Sequence, residues 1–126
     1  MRSMRYVYAA FIDGASHVGT PKPKEDNQRN RGGRNSVDPG NPGNVRAGIT
    51  PDLDVQDKLD FKDKSITDFR KVGFGAAHSL PRGRMLPGSG AIVLLEGTSN
   101  DDMVMKANTS AFAQLRGEGG VMPATV

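Results

Sequence analysis

The sequence contains no cysteine and no tryptophan, only two histidines, and aromatic residues at 6% of its 126 positions. Without cysteine there are no disulfides, no thiolate metal ligands and no thiol nucleophile, while the cellular compartment stays open. Two histidines and no cysteine do not assemble into a recognisable Ser–His–acid or Cys–His set. Long apolar runs are missing too: no stretch approaches the ~20 residues that a helix needs to cross a bilayer, so the expectation is a soluble protein without membrane contact. The basic start, Met1 to Arg5, is followed by a seven-residue apolar run at 6–12 that stops at Asp13. Its two tyrosines and the lack of a small-residue cleavage site argue against a signal peptide.

What is present describes a loop-rich chain with a modest core. Its length suits one domain. Hydrophobic residues make up 36%, and 16 glycines and 8 prolines exceed an ordinary combined usage of roughly 12%. The formal charge of +3 is concentrated locally. Lys22, Lys24, Arg29, Arg31 and Arg34 stand against Glu25 and Asp26, and the remainder is close to neutral. A basic tract inside a polar segment reads as a solvated loop. No aromatics interleave with it to stack bases, so a nucleic-acid partner is not expected.

Four zones follow one another. Residues 5–12 read as a short strand ending at Asp13-Gly14, and their continuous apolar character suits burial on both faces, as in a parallel sheet. Residues 19–44 hold Val37 as their only large apolar side chain. That is too little to offset ordering entropy, so a long flexible loop or insertion is expected. In 45–97, Asp54 and Asp57 signal a helix start, with Val55 and Leu59 on one face. Ser65 with Asp68 resembles a capping box for a helix turning Ile66, Phe69 and Val72 inward and stopping at Gly73. Residues 74–80 and 91–95 read as strands of one sheet, separated by a loop at 81–90. The last zone opens on Ser99-Asn100-Asp101, which predicts a helix over 99–116 with a stripe of Val104, Ala111 and Leu115. This order favours an α/β fold.

The run Tyr8-Ala9-Ala10-Phe11-Ile12-Asp13-Gly14-Ala15-Ser16-His17 resembles the first barrel strand of the amidohydrolase superfamily, where Asp, a variable residue and His-x-His follow an apolar pair. Val72-Gly73-Phe74-Gly75-Ala76-Ala77-His78-Ser79-Leu80-Pro81, followed by Pro87-Gly88-Ser89-Gly90-Ala91-Ile92-Val93-Leu94-Leu95, is similar to a strand, glycine-rich loop and strand of imidazolonepropionase-like members. Residues 103–115 resemble the helix that comes next in that group. The resemblance covers most of the chain outside 19–44. It implies a (β/α)8 barrel in which one or two divalent metals activate water for hydrolysis of C–N bonds.

Two departures bear on function. The family's paired imidazoles would fall on positions 15 and 17, which here are Ala15 and His17. His17 is thus the one metal-ligand candidate, and a lone ligand holds a metal poorly. A whole barrel needs about 250 residues, and the family's later histidines, bridging lysine and catalytic aspartate have no positions here.

Each remaining candidate has a bland alternative. His17 reads more simply as a surface histidine at a strand end, and His78 as a hydrogen-bonded core or barrel-wall residue. Asp13 suits a structural role, bonding backbone N–H groups at the strand end. Asp52, Asp54, Asp57, Asp60 and Asp63 lack the order of a calcium loop and suit a solvated helix face. Arg82-Gly83-Arg84 with the glycine-rich turn after it could take an anion, or simply connect two strands.

The resulting expectation is a single α/β domain over 1–126: a partial (β/α) barrel-like segment with parallel strands, interrupted by the loop at 19–44. It would have no catalytic residues and no cofactor of its own. Zinc or another divalent metal would enter only with other barrel segments, the partner being the rest of the barrel or a second copy. The alternative is a small non-catalytic module binding an anionic partner through its basic loop.

Overall fold

The computed structural model describes residues 6–22 and 48–114. Strand β1, Phe11–Ser16, is followed by a 3-10 helix at Val55–Lys58 and helix α1 at Lys64–Lys71. Strands β2, Phe74–Ser79, and β3, Gly88–Leu94, come next, then a single turn α2, Asn100–Met103, and strand β4, Val104–Phe112. They form a mixed α/β unit around one open four-stranded sheet in the order β1-β2-β3-β4. Among the described residues no helix is long and apolar enough to cross a membrane.

Local chemistry accounts for the first helices. Asp54 caps the 3-10 helix by accepting from the Gln56 N–H; Val55 and Leu59 are both buried, but the expected helix lasts only four residues and Leu59 lies past its end in extended backbone, so helical spacing does not align them. Helix α1 begins two residues earlier than expected, because Asp63 rather than Ser65 accepts the free N–H of the first turn, at 2.8 Å. Asp68 instead reaches Lys64 and Lys71 on the exposed side. Ile66 is buried and Phe69 packs beside it, but Val72 faces solvent. Gly73 ends the helix at φ +98°, a conformation costly for any other residue.

The expected parallel sheet is corrected in two ways. Only β1 and β2 run parallel, while β2–β3 and β3–β4 are antiparallel. Secondly, β1 starts later than the apolar run suggests and is not covered on both faces. It is an edge strand, with Phe11 65% and Ile12 77% exposed.

The helix expected over 99–116 lasts one turn. Ser99 caps it as its sequence signals, but from Val104 the chain is a strand. Val104, Asn108, Thr109 and Ser110 are poor helix formers, and β3 presents a whole ladder edge whose N–H and C=O groups need partners. Non-local pairing wins over a weak local preference. Ala111 of the expected stripe is exposed, and Leu115 lies outside the described residues.

The core lies on one sheet face, where Ala77, Ala91 and Val93 meet Val18, Val55, Leu59, Ile66, Leu95 and Met103. Alternation sends Ala76, His78, Ile92 and Leu94 to the other face, which is left half open. Of the expected loop at 19–44, residues 23–44 lie outside the described residues, while Gly19 and Thr20 are buried.

Candidate functional site

His17 follows β1 directly, where the C-terminal ends of the parallel pair meet; the Leu80 N–H donates to the Ser16 carbonyl there at 2.7 Å. The half-buried imidazole places Nδ1 2.9 Å from the Leu80 carbonyl oxygen. A carbonyl can only accept, so Nδ1 carries the proton, and in the neutral ring Nε2 keeps its lone pair. Phe112 lies edge-on to the ring at 6.1 Å. The surroundings of His17 are held tightly: the Thr20 hydroxyl donates to the His17 carbonyl at 2.7 Å, and Arg82 donates to the Thr20 carbonyl at 2.9 Å and the His17 carbonyl at 3.4 Å. Arg82 is therefore a brace between the end of β1 and the loop before β3, not a solvated side chain. Arg84 is half-buried.

Asp13 is half-buried in β1, with Oδ1 3.5 Å from the Ala15 N–H and Oδ2 buried without a hydrogen-bond partner. The acidic run is not a solvated helix face. Asp54 and Asp63 cap two helices, and Asp60 accepts from the Lys62 N–H at 2.9 Å. Three of the five carboxylates thus serve caps or a turn, while Asp52 and Asp57 are exposed. Among the described residues no three His, Asp or Glu side chains converge as a metal site.

A second polar cluster centres on His78, on the open face of the sheet. Nδ1 lies 3.2 Å from the Gly14 carbonyl of β1, and Nε2 lies 2.9 Å from Thr109 Oγ1 and 3.0 Å from Ser110 Oγ of β4. Thr109 Oγ1 also sits 3.0 Å from the Gly90 carbonyl. His78 thus matches the expected hydrogen-bonded histidine, but its hydroxyl partners were hidden in a segment read as helix. The cluster Asn108-Thr109-Ser110, three poor helix formers in a row, was the available signal.

Cavities open among the described residues. One of about 290 Å³ is lined by Lys22, Asp54, Val55, Pro81, Arg82 and Pro87. Another, about 610 Å³, lies between the chain before β1 and the sheet, against Tyr8, Phe11, Phe74 and the Arg70–Glu96 ion pair.

No protein-family model, curated protein or solved structure matches this chain.

Proposed function

We propose that the parallel pair β1–β2 of this chain belongs to an amidohydrolase-like barrel, whose chemistry is metal-dependent hydrolysis of C–N bonds, and that alone the chain does not carry out that reaction. One observation carries the reading. His17, the motif's surviving imidazole, sits at the C-terminal ends of the parallel β1–β2 pair with Nδ1 held by the Leu80 carbonyl. Barrel enzymes gather their catalytic groups at that end of their strands, and a backbone carbonyl on one ring nitrogen is the usual way to orient the other toward a metal. The exposed apolar edge of β1 supports a sheet continued by further strands, from the rest of the barrel or from a second copy.

The residues present do not fit a zinc site on their own. Position 15 is alanine, and His78 Nε2 already faces two hydroxyls. A tetrahedral site needs three or more protein ligands. The anion-binding alternative has less support, because Arg82 donates to two carbonyls.

Calorimetric titration of the isolated chain with zinc should give a shallow curve that His17→Ala barely changes. Tight one-to-one binding abolished by that substitution would refute the claim that these residues do not form a zinc site. Coding sequence flanking this segment should encode further β/α units bearing histidine and aspartate ligands. Flanks without them would refute the barrel assignment.

A further inference from the structure

A sheet normally keeps residues of β2 and β4 apart, since β3 lies between them and adjacent strands are spaced about 4.8 Å apart. Here the His78 ring on β2 reaches hydroxyls on β4, and two features permit it. The first is Gly90 on the intervening strand. A Cβ built there would lie 3.0 Å from His78 Nε2 and 3.0 Å from Ser110 Oγ, so the missing side chain is the space in which the two meet. The second is a bulge in β4. Gly90 pairs with Ser110 and Ile92 with Lys106, so β4 spends four residues where β3 spends two. Asn108, at the crest, has φ +51°, a conformation non-glycine residues adopt rarely and asparagine most readily. A regular strand would send Thr109 and Ser110 to opposite faces. The bulge turns both onto His78.

Proton accounting separates the two hydroxyls. The Gly14 carbonyl only accepts, so Nδ1 carries the ring proton and Nε2 must accept. Thr109 has one proton and can place it on the Gly90 carbonyl. With the Thr109 proton on that carbonyl, Ser110 Oγ at 3.0 Å is placed to donate to Nε2. A hydroxyl donating to an imidazole whose far nitrogen is oriented by a third group is the arrangement of an activated nucleophile. Bulges and strained backbone that aim such side chains recur at reactive sites.

We propose that Ser110 is a nucleophile activated by His78, and that the pair cleaves small activated carboxylic esters without a metal. This activity is separate from the barrel-segment reading and does not depend on it. Ser110 Oγ attacks the acyl carbon as its proton passes to His78 Nε2. The ester C–O bond breaks, and the leaving alkoxide takes that proton and departs as the alcohol. Water then attacks the acyl-serine with His78 accepting its proton, which releases the carboxylic acid and restores the Ser110 hydroxyl.

The test uses the whole chain with p-nitrophenyl acetate and excess EDTA, followed by peptide mapping of the quenched protein. An acetyl group on Ser110 is expected, and absent in Ser110→Ala. His78→Gln should slow its formation about 100-fold, in the range that positioned general bases contribute. If that variant does not fold, Gly90→Ala serves in its place, since its methyl group intrudes between the two atoms. Acetyl on lysines or Thr109 but not on Ser110, or nowhere in the unaltered protein, would overturn the proposal. So would an unchanged rate of Ser110 acetylation in a folded His78→Gln or Gly90→Ala protein, and the cluster would then be a brace across the sheet.

Discussion

The side chain of Asn100 works as a backbone surrogate, and its removal should cost more than its polar character suggests. Nδ2 donates to the Leu59 carbonyl at 2.6 Å, and Oδ1 accepts from the Phe61 N–H at 3.1 Å. The amide therefore satisfies both sides of the bend between the 3-10 helix and α1, tying it to the start of α2. A net contribution of about 1 kcal/mol per bond puts Asn100→Ala at about 2 kcal/mol, since both groups are only part-buried and water can replace some of the loss. For a chain of this size that is roughly an 8 °C fall in Tm. Asn100→Asp discriminates further. It keeps the acceptor for Phe61 but sets a carboxylate oxygen against the Leu59 carbonyl, so it should be at least as destabilising at neutral pH. Protonation of the new carboxyl restores a donor, so part of that loss should be recovered as the pH falls, which the alanine variant cannot do. Urea unfolding followed by far-UV circular dichroism suits a chain without tryptophan. A cost below about 0.5 kcal/mol for Asn100→Ala, or an aspartate variant with no recovery in acid, would refute the reasoning.

Two further outcomes are expected. The Thr98 hydroxyl, followed by the Thr98 backbone N–H and the Ser99 hydroxyl, holds the exposed Asp102 carboxyl below its usual range. Because the folded-state value is depressed, the associated stability is present above the unfolded-state pKa and is lost as pH falls through the folded one. NMR titration of Thr98→Ala should move the Asp102 midpoint upward, part of the way only because the backbone donor remains, and an unmoved midpoint would discount the hydroxyl. Gly19 has φ +72°, and a Cβ there would lie 2.7 Å from Leu59 Cδ1 in the core. Gly19→Ala should therefore cost about 2 kcal/mol, through left-handed strain and overpacking together. It should be seen as a lower urea midpoint at constant slope, and an unchanged midpoint would show that Leu59 yields freely.

The sequence by itself determined the elements whose cause is local. Residues 74–80 read as a strand because short apolar runs between turn residues behave as one, and β2 is Phe74–Ser79. Ile66 at the buried face of α1, Gly73 at its end, Asp54 at the start of the 3-10 helix and Ser99 as a cap all follow from spacing and capping chemistry within a few residues. Strands 74–80 and 91–95 were also legible as partners in one sheet, although not their antiparallel sense. What only the tertiary structure decided depends on a distant partner. The segment 104–112 carries a weak helical stripe, and the unpaired edge of β3 makes it a strand. The run at 6–12 is apolar enough for burial, yet its position at the sheet edge exposes Phe11 and Ile12. The same holds for chemistry. His17 could be singled out from its place after an apolar strand, whereas the carbonyl that orients it belongs to Leu80, 63 residues away. Ser110 meets His78 only because β3 carries a glycine at position 90 and β4 bulges opposite it. Hydrogen-bonded pairing between strands joins residues far apart in the chain, and local sequence carries no record of which ones will meet.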